Sequence, residues 1–191
     1  MDIQDALDRL KSKNSIGQEF FDILEEDRAL RKDLATYIQK HPDRDIALTL
    51  LSKMVELRDK DETAITGETL MLGCYILGLC GQVSDCLVIW NAKSTDFDTF
   101  CGIDIQLAVF RGVDETITYL ETQTSEEAKE ALEYILKCQQ AGDFEDLASY
   151  YDRKSCRGLF DRKNTSLSLI LPTMSRAYRD PHNLSRSLSG S

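Results

Sequence analysis

The residues best suited to chemistry lie in one polar segment, NAKSTDFDTFCGID (91–104), between two apolar stretches. Its carboxylates are Asp96, Asp98 and Asp104, and the aromatic residues within or beside it are Trp90, Phe97 and Phe100. In protein interfaces, aromatic side chains supply buried contact area, and carboxylates attract and orient lysine and arginine. The combination predicts that this segment binds a basic protein, with Trp90, Phe97 and the three carboxylates making the contacts.

Two other interpretations of the segment are open. In the first it is structural: Asp98 caps a helix that starts at Thr99, and Phe97 and Phe100 belong to the core. In the second, the three carboxylates bind a divalent metal ion, which would make the protein a small hydrolase or another metal-dependent enzyme. A calcium loop has more regularly spaced oxygen ligands than this segment offers, so the spacing does not indicate calcium.

The sequence lacks the usual motifs of catalysis. Its two histidines, His41 and His182, each lie beside a proline, and neither belongs to a metal-binding pair such as HExxH. There is no GxSxG motif, and neither of the phosphate-binding patterns GxxxxGK[ST] and GxGxxG occurs. The six cysteines form no CxxC pair, and we interpret them as reduced packing residues. We therefore expect a non-enzymatic protein with no cofactor and no metal.

The charge of the chain is divided between an acidic body and a basic tail. Eight basic and two acidic residues follow Asp152, so residues 153–191 carry +6 and residues 1–152 carry −16 of the formal net charge of −10. An acidic body argues against nucleic acid or an anionic membrane as a ligand, because both require neutralising lysine and arginine. It is compatible with a basic protein partner, and we add Asp114 and Glu115 to the predicted binding residues.

The sequence also predicts where the protein is located. The longest run without a charged residue, 69–84, is shorter than the roughly 20 residues that a membrane-spanning helix requires, and glycines interrupt it. No secretory signal is visible at the N-terminus, and the cysteines suit a reducing compartment. We therefore expect a cytoplasmic protein.

Apolar residues recur with a helical period along the body of the chain. Helices are predicted at 2–12, 16–25, 27–40, 43–59, 67–80, 83–93, 99–111, 113–122, 125–141 and 143–151. Residues 102–110, GIDIQLAVF, alternate enough to suggest a strand, but their position between helical units favours a helix. Ser15 and Thr124 each precede Gln or Glu by three residues, which predicts capping boxes, and Gly142 is expected to end a helix.

A shift of thirty residues aligns parts of the chain with one another. GVDETI (112–117) matches GDFEDL (142–147), and the frame at GLCGQVSD (78–85) is one residue out of step. In this pattern Gly78 is expected to allow close helix packing, and Gly81 to allow a turn with positive φ. AVFRGVDETITYLE (108–121) resembles the second half of an ankyrin repeat, and the likeness extends loosely over residues 66–152. No TPLH motif opens any unit, and the period of thirty is shorter than that of ankyrin repeats, about 33.

The resemblance implies an all-α fold in which antiparallel helical hairpins stack as a short α-solenoid. Residues 1–152 form this domain, and residues 153–191 form an irregular, serine-rich basic extension. Small size, acidity and reduced cysteines are similar to the profile of bacterial toxin-immunity proteins, which implies inhibition of a cationic toxin such as a nuclease. An alternative function is that of an adaptor regulated by phosphorylation of the serine-rich tail.

Overall fold

The predicted all-α class is confirmed by the computed structural model, which describes residues 1–12 and 16–154. These residues form ten α-helices and two 3-10 segments, and no strand occurs among them. The α-helices are α1 (Ile3–Ser12), α2 (Gln18–Glu26), α3 (Arg28–Lys40), α4 (Arg44–Lys60), α5 (Gly67–Cys80), α6 (Cys86–Lys93), α7 (Phe97–Gly102), α8 (Val113–Glu121), α9 (Glu126–Ala141) and α10 (Leu147–Lys154). The 3-10 segments are Val83–Asp85, before α6, and Ile105–Val109, between α7 and α8.

Some helix bounds differ from the sequence predictions. The helix predicted at 99–111 is divided into α7 and the second 3-10 segment, so residues 105–109 are helical and not a strand. Helix α9 is capped by Ser125, whose side chain accepts a hydrogen bond from the Ala128 N–H, and not by Thr124. Helix α2 follows Gly17, and Ser15, where the sequence predicts a cap, lies outside the described residues.

Helix α5 lies at the centre of the described residues. It is apolar on all sides, and it packs against α3, α4, α6, α7 and the second 3-10 segment. A helix without a polar face is stable only when other elements surround it. The absence of a side chain at Gly78 lets Phe110 approach, because a Cβ there would collide with the phenyl ring. The close-packing role predicted for Gly78 is therefore confirmed.

The glycines that begin GVDETI and GDFEDL both have a positive φ. Gly112, before α8, has φ +112°, and Gly142, after α9, has φ +84°. Each lies against the side chain of the glutamate three residues later. Gly81 has φ −70°, so the positive-φ turn predicted there is wrong. The acid that follows the positive-φ glycine lies in the first turn of the next helix only after Gly112, because α10 begins at Leu147, beyond Glu145. The solenoid stacking of hairpins stays a prediction.

Among the described helices, none combines the length and the apolar composition that crossing a bilayer requires. The described residues belong to one compact unit, Met1–Phe160. The predicted basic extension, 153–191, lies outside the described residues except for the last two residues of α10.

Candidate partner-binding surface

The short helix α7 forms the centre of the predicted binding segment, and its N-terminus is fixed by Asp96. The Asp96 carboxylate accepts a hydrogen bond from the Thr99 N–H at 2.8 Å, and the Thr99 hydroxyl accepts one from the Asp96 N–H at 3.0 Å. The structural interpretation of the segment makes Asp98 the cap, but the structure places Asp96 in that role. The reason is geometric: a cap must precede the first helical residue, and α7 begins at Phe97.

Asp96 is also paired with Arg58 of α4. The Arg58 Nε lies 2.5 Å from the Asp96 Oδ2, and the side chain of Arg58 is only 6% exposed. A second nitrogen of the same guanidinium donates to the carbonyl of Ile65. The hydrogen bond from Arg58 holds the pKa of Asp96 below its ordinary value. Asp96 therefore forms an intramolecular ion pair that joins the start of α7 to α4.

The opposite end of α7 is held by Lys93. Its residue exposure is 3%, and its Nζ donates to the carbonyl of Ile103 at 2.7 Å and to that of Phe100. These carbonyls lie at the C-terminus of α7, where intrahelical donors are lacking. The ammonium also lies 4.7 Å from the ring centroid of Phe100 and 5.6 Å from that of Tyr134. Burial lowers the pKa of Lys93, and the charge of Asp104 opposes that shift.

Beneath α7 the aromatic side chains form a packed layer. The Trp90 ring lies 6.2 Å from Phe100 and 5.4 Å from Tyr134, and the last two rings are 5.3 Å apart. Trp90 is 5% exposed. It was predicted as a contact residue, and the structure places it under the surface, where it supports the residues above.

Asp104 connects the same region to α10. Its carboxylate accepts a hydrogen bond from the Tyr150 hydroxyl at 2.9 Å, and burial raises the pKa of that hydroxyl well above its usual range. The neighbouring Tyr151 hydroxyl donates to the carbonyl of Gln106 at 2.6 Å. Asp104 therefore has a defined structural contact 46 residues along the chain.

The exposed face of α7 carries Phe97 and Asp98. Phe97 is 59% exposed, the highest exposure of any large hydrophobic side chain among the described residues. Asp98 is exposed beside it, and Cys101, one turn later, is exposed as well. Of the residues predicted in segment 91–104, Phe97 and Asp98 are therefore the two that face solvent.

Asp114 and Glu115 lie in the first turn of α8 and are both exposed. They belong to a larger acidic region, defined as residues 113–151, which has ten acidic residues, all exposed, and two lysines. The lysines are partly neutralised, because Lys129 pairs with Glu126 at 3.0 Å and Lys137 pairs with Glu133 at 2.6 Å. Residues 1–60, in contrast, are nearly balanced, with thirteen acidic and eleven basic residues. Much of the charge of the body is therefore concentrated in residues 113–151.

The described residues contain no group of three or more His, Cys, Asp or Glu side chains arranged to hold a metal ion. Asp96 pairs with Arg58 and Asp104 accepts from Tyr150, so the two carboxylates are engaged in different contacts. Cys74 and Cys138 are buried free thiols, and burial raises the pKa of each to about 12. Thiols held in that protonated state are suited to packing.

Sequence reasoning did not identify Arg58, Lys93, Tyr134 or Tyr150 as parts of this site. One signal for Lys93 is present, because residues 61–112 contain only two basic residues and Lys93 ends an otherwise uncharged helix. The partners of Arg58 and Tyr150 are 38 and 46 residues away, and no local pattern indicates such pairs.

Comparison with known proteins adds no family to this description. No protein family, curated protein or solved structure matches the chain significantly.

Proposed function

We propose that the protein is a non-enzymatic binding module that recognises a basic protein partner through α7 and the acidic region 113–151. The observation that carries the proposal is the exposure of Phe97 on a six-residue helix that is fixed at both ends. A phenyl ring that is 59% exposed keeps apolar surface in contact with water, and burial of that surface in a partner is favourable.

The anchoring of α7 supports the proposal. Arg58 contacts its N-terminal cap and Lys93 contacts its C-terminal carbonyls. The backbone that carries Phe97 therefore has little conformational freedom to lose when a partner binds. A residue that is already ordered loses less conformational entropy on binding, so more of the free energy gained by its burial contributes to affinity. Trp90 and Tyr134 would provide the packed base for this helix.

The charge distribution supports a basic partner. Asp98 adjoins Phe97, and Asp114 and Glu115 begin the acidic region. Exposed carboxylates of one sign raise the association rate of an oppositely charged protein and disfavour acidic competitors. We propose in particular that the partner is a cationic toxin domain, such as a nuclease, which the module neutralises. A toxin gene next to the gene for this protein would agree with that identification.

The proposal is tested by the binding kinetics of two variants. The partner is first isolated from the native host and purified, and its association is then measured with wild type, Phe97→Ala and Asp98→Lys. Loss of a central aromatic anchor is expected to raise the Kd by roughly 30-fold, mainly through faster dissociation. Asp98→Lys is expected to lower the association rate, and the loss should shrink at high salt.

A charge-matched control separates local contact from net charge. Asp33 is an exposed aspartate on α3, and Asp33→Lys changes the net charge by the same amount as Asp98→Lys. We expect Asp33→Lys to bind nearly as wild type does. Equal losses in the two lysine variants, or an unchanged Kd for Phe97→Ala, would refute the assignment of the site.

A further inference from the structure

Lys93 is an unusual residue in this fold, because it is almost completely buried and its ammonium makes its direct contacts with uncharged groups. Its ammonium is bound by the carbonyls of Phe100 and Ile103 and by two aromatic faces. A buried ammonium loses most of its hydration, and that loss costs free energy unless ionic partners replace it. The carbonyls and rings therefore satisfy the hydrogen-bonding geometry of Lys93, but no carboxylate is paired closely enough to offset the free-energy cost of its burial.

The groups around Lys93 come from several elements. Asp104 precedes the second 3-10 segment, Cys101 lies on α7, Cys74 lies on α5, and Cys138 and Tyr134 lie on α9. Burial lowers the pKa of Lys93, so the surroundings as a whole disfavour its charge. An isosteric apolar residue at this position would avoid that penalty, and such replacements of buried charges are often neutral or stabilising.

The position of the bonded carbonyls gives the lysine another role. Both lie at the C-terminus of α7, a helix of six residues with few internal hydrogen bonds. Two donors from one ammonium close this end of the helix and fix it against α6, just as Arg58 fixes the other end through Asp96. An apolar residue at position 93 would leave these carbonyls without their donor.

We propose that Lys93 is a positioning residue, whose buried ammonium fixes the conformation of α7, and hence the presentation of Phe97, without adding to the stability of the fold as a whole. The structural part of this inference stands by itself, and its consequence for binding rests on the proposed function. In some proteins a buried polar group fixes one local conformation at a cost in stability, and this is the role assigned to Lys93.

Amide hydrogen exchange of Lys93→Met and Lys93→Gln tests the inference. Methionine removes the charge and both donors at similar volume, whereas glutamine keeps an amide donor. In Lys93→Met, exchange of amides 97–103 is expected to accelerate by about tenfold or more, while amides of α4 and α5 keep their protection. The urea midpoint should stay equal to that of wild type or increase. Lys93→Gln should accelerate exchange of 97–103 by a smaller factor.

The control is Lys129→Met, which removes an exposed lysine on α9 and should leave exchange of 97–103 unchanged. Unchanged exchange of 97–103 in Lys93→Met would overturn the inference. A uniform acceleration over all helices would also overturn it, as would failure of both Lys93 variants to fold, because the effect would then be global.

The proposed function can fail independently of this inference. Phe97→Ala tests binding without disturbing α7 exchange, and Lys93→Met tests α7 exchange without a partner. If both proposals hold, Lys93→Met raises the Kd for the purified partner while Phe97 is still present.

Discussion

Removal of the Arg58–Asp96 pair should reveal how strongly α7 is attached to the rest of the fold. The side chains are 6% and 23% exposed, so the pair is shielded from water on the Arg58 side and partly open on the Asp96 side. Loss of one partner of a fully buried pair costs about 3–5 kcal/mol, because the other charge is left unpaired. Since Asp96 keeps some hydration, we expect about 3 kcal/mol for Arg58→Met, which also leaves the Ile65 carbonyl without its donor.

Two substitutions at position 96 divide this effect into its parts. Asp96→Asn keeps an oxygen to accept from the Thr99 N–H but removes the charge that Arg58 requires. Asp96→Ala removes both, so it should be less stable than Asp96→Asn by about 1 kcal/mol, the usual contribution of an N-cap. Urea unfolding of the three variants and wild type gives these differences.

The pH dependence provides a second test of the same pair. Arg58 lowers the pKa of Asp96 in the folded protein, so the folded state releases this proton more readily than the unfolded chain does. The advantage of wild type over Asp96→Asn should therefore be complete above about pH 4 and be lost as the pH falls through the lowered folded pKa.

An exposed pair serves as the control, and specific results would refute this reasoning. Glu133 and Lys137 have side chains 69% and 67% exposed, and Glu133→Gln should change stability within experimental error. The account of the pair is wrong if Arg58→Met unfolds at the same urea concentration as wild type. It is also wrong if Asp96→Asn and Asp96→Ala are equally stable, because the cap would then contribute nothing.

Other predictions concern the backbone and Lys93. Gly112→Ala should destabilise the protein by about 1–3 kcal/mol in thermal unfolding, because φ +112° is strained for alanine and Glu115 occupies the space of a Cβ. Gly142→Ala should cost less, about 1 kcal/mol, since its φ of +84° and ψ of 12° fall in the left-handed helical region; a larger loss than for Gly112→Ala would contradict this order. Burial lowers the pKa of Lys93 in the folded state, so the stability of wild type relative to Lys93→Met should rise with pH through that folded pKa and level off above about 10.4. Urea midpoints between pH 7 and 11 that show no such rise would contradict the predicted direction of the pKa shift.

The helices were predictable because their signals are local. Periodic apolar positions located most of them within a few residues, and Gly142 marks a helix end that the structure confirms. The errors occur where two local signals compete. Asp96 and Asp98 are both suitable caps by residue type, and Asp96, which precedes α7, also pairs with Arg58 of α4.

The candidate site was predictable only in part, because exposure is a property of the tertiary structure. The sequence singles out segment 91–104 by its carboxylates and aromatic residues, but it does not distinguish the buried ring of Trp90 from the exposed ring of Phe97. The contact of Asp104 with Tyr150 spans 46 residues and depends on how α10 packs. Such contacts arise from the packing of whole helices and leave no periodic trace in the sequence.

Site-specific photo-cross-linking gives the most direct test of the central claim that Phe97 contacts a basic protein partner. A benzoylphenylalanine replaces Phe97 in one sample and the exposed Lys32 of α3 in another, and each is irradiated with the purified partner. We predict a cross-link from position 97 to a basic region of the partner and none from position 32. A complex that forms without any cross-link from position 97, or with equal yields from both positions, would contradict the account.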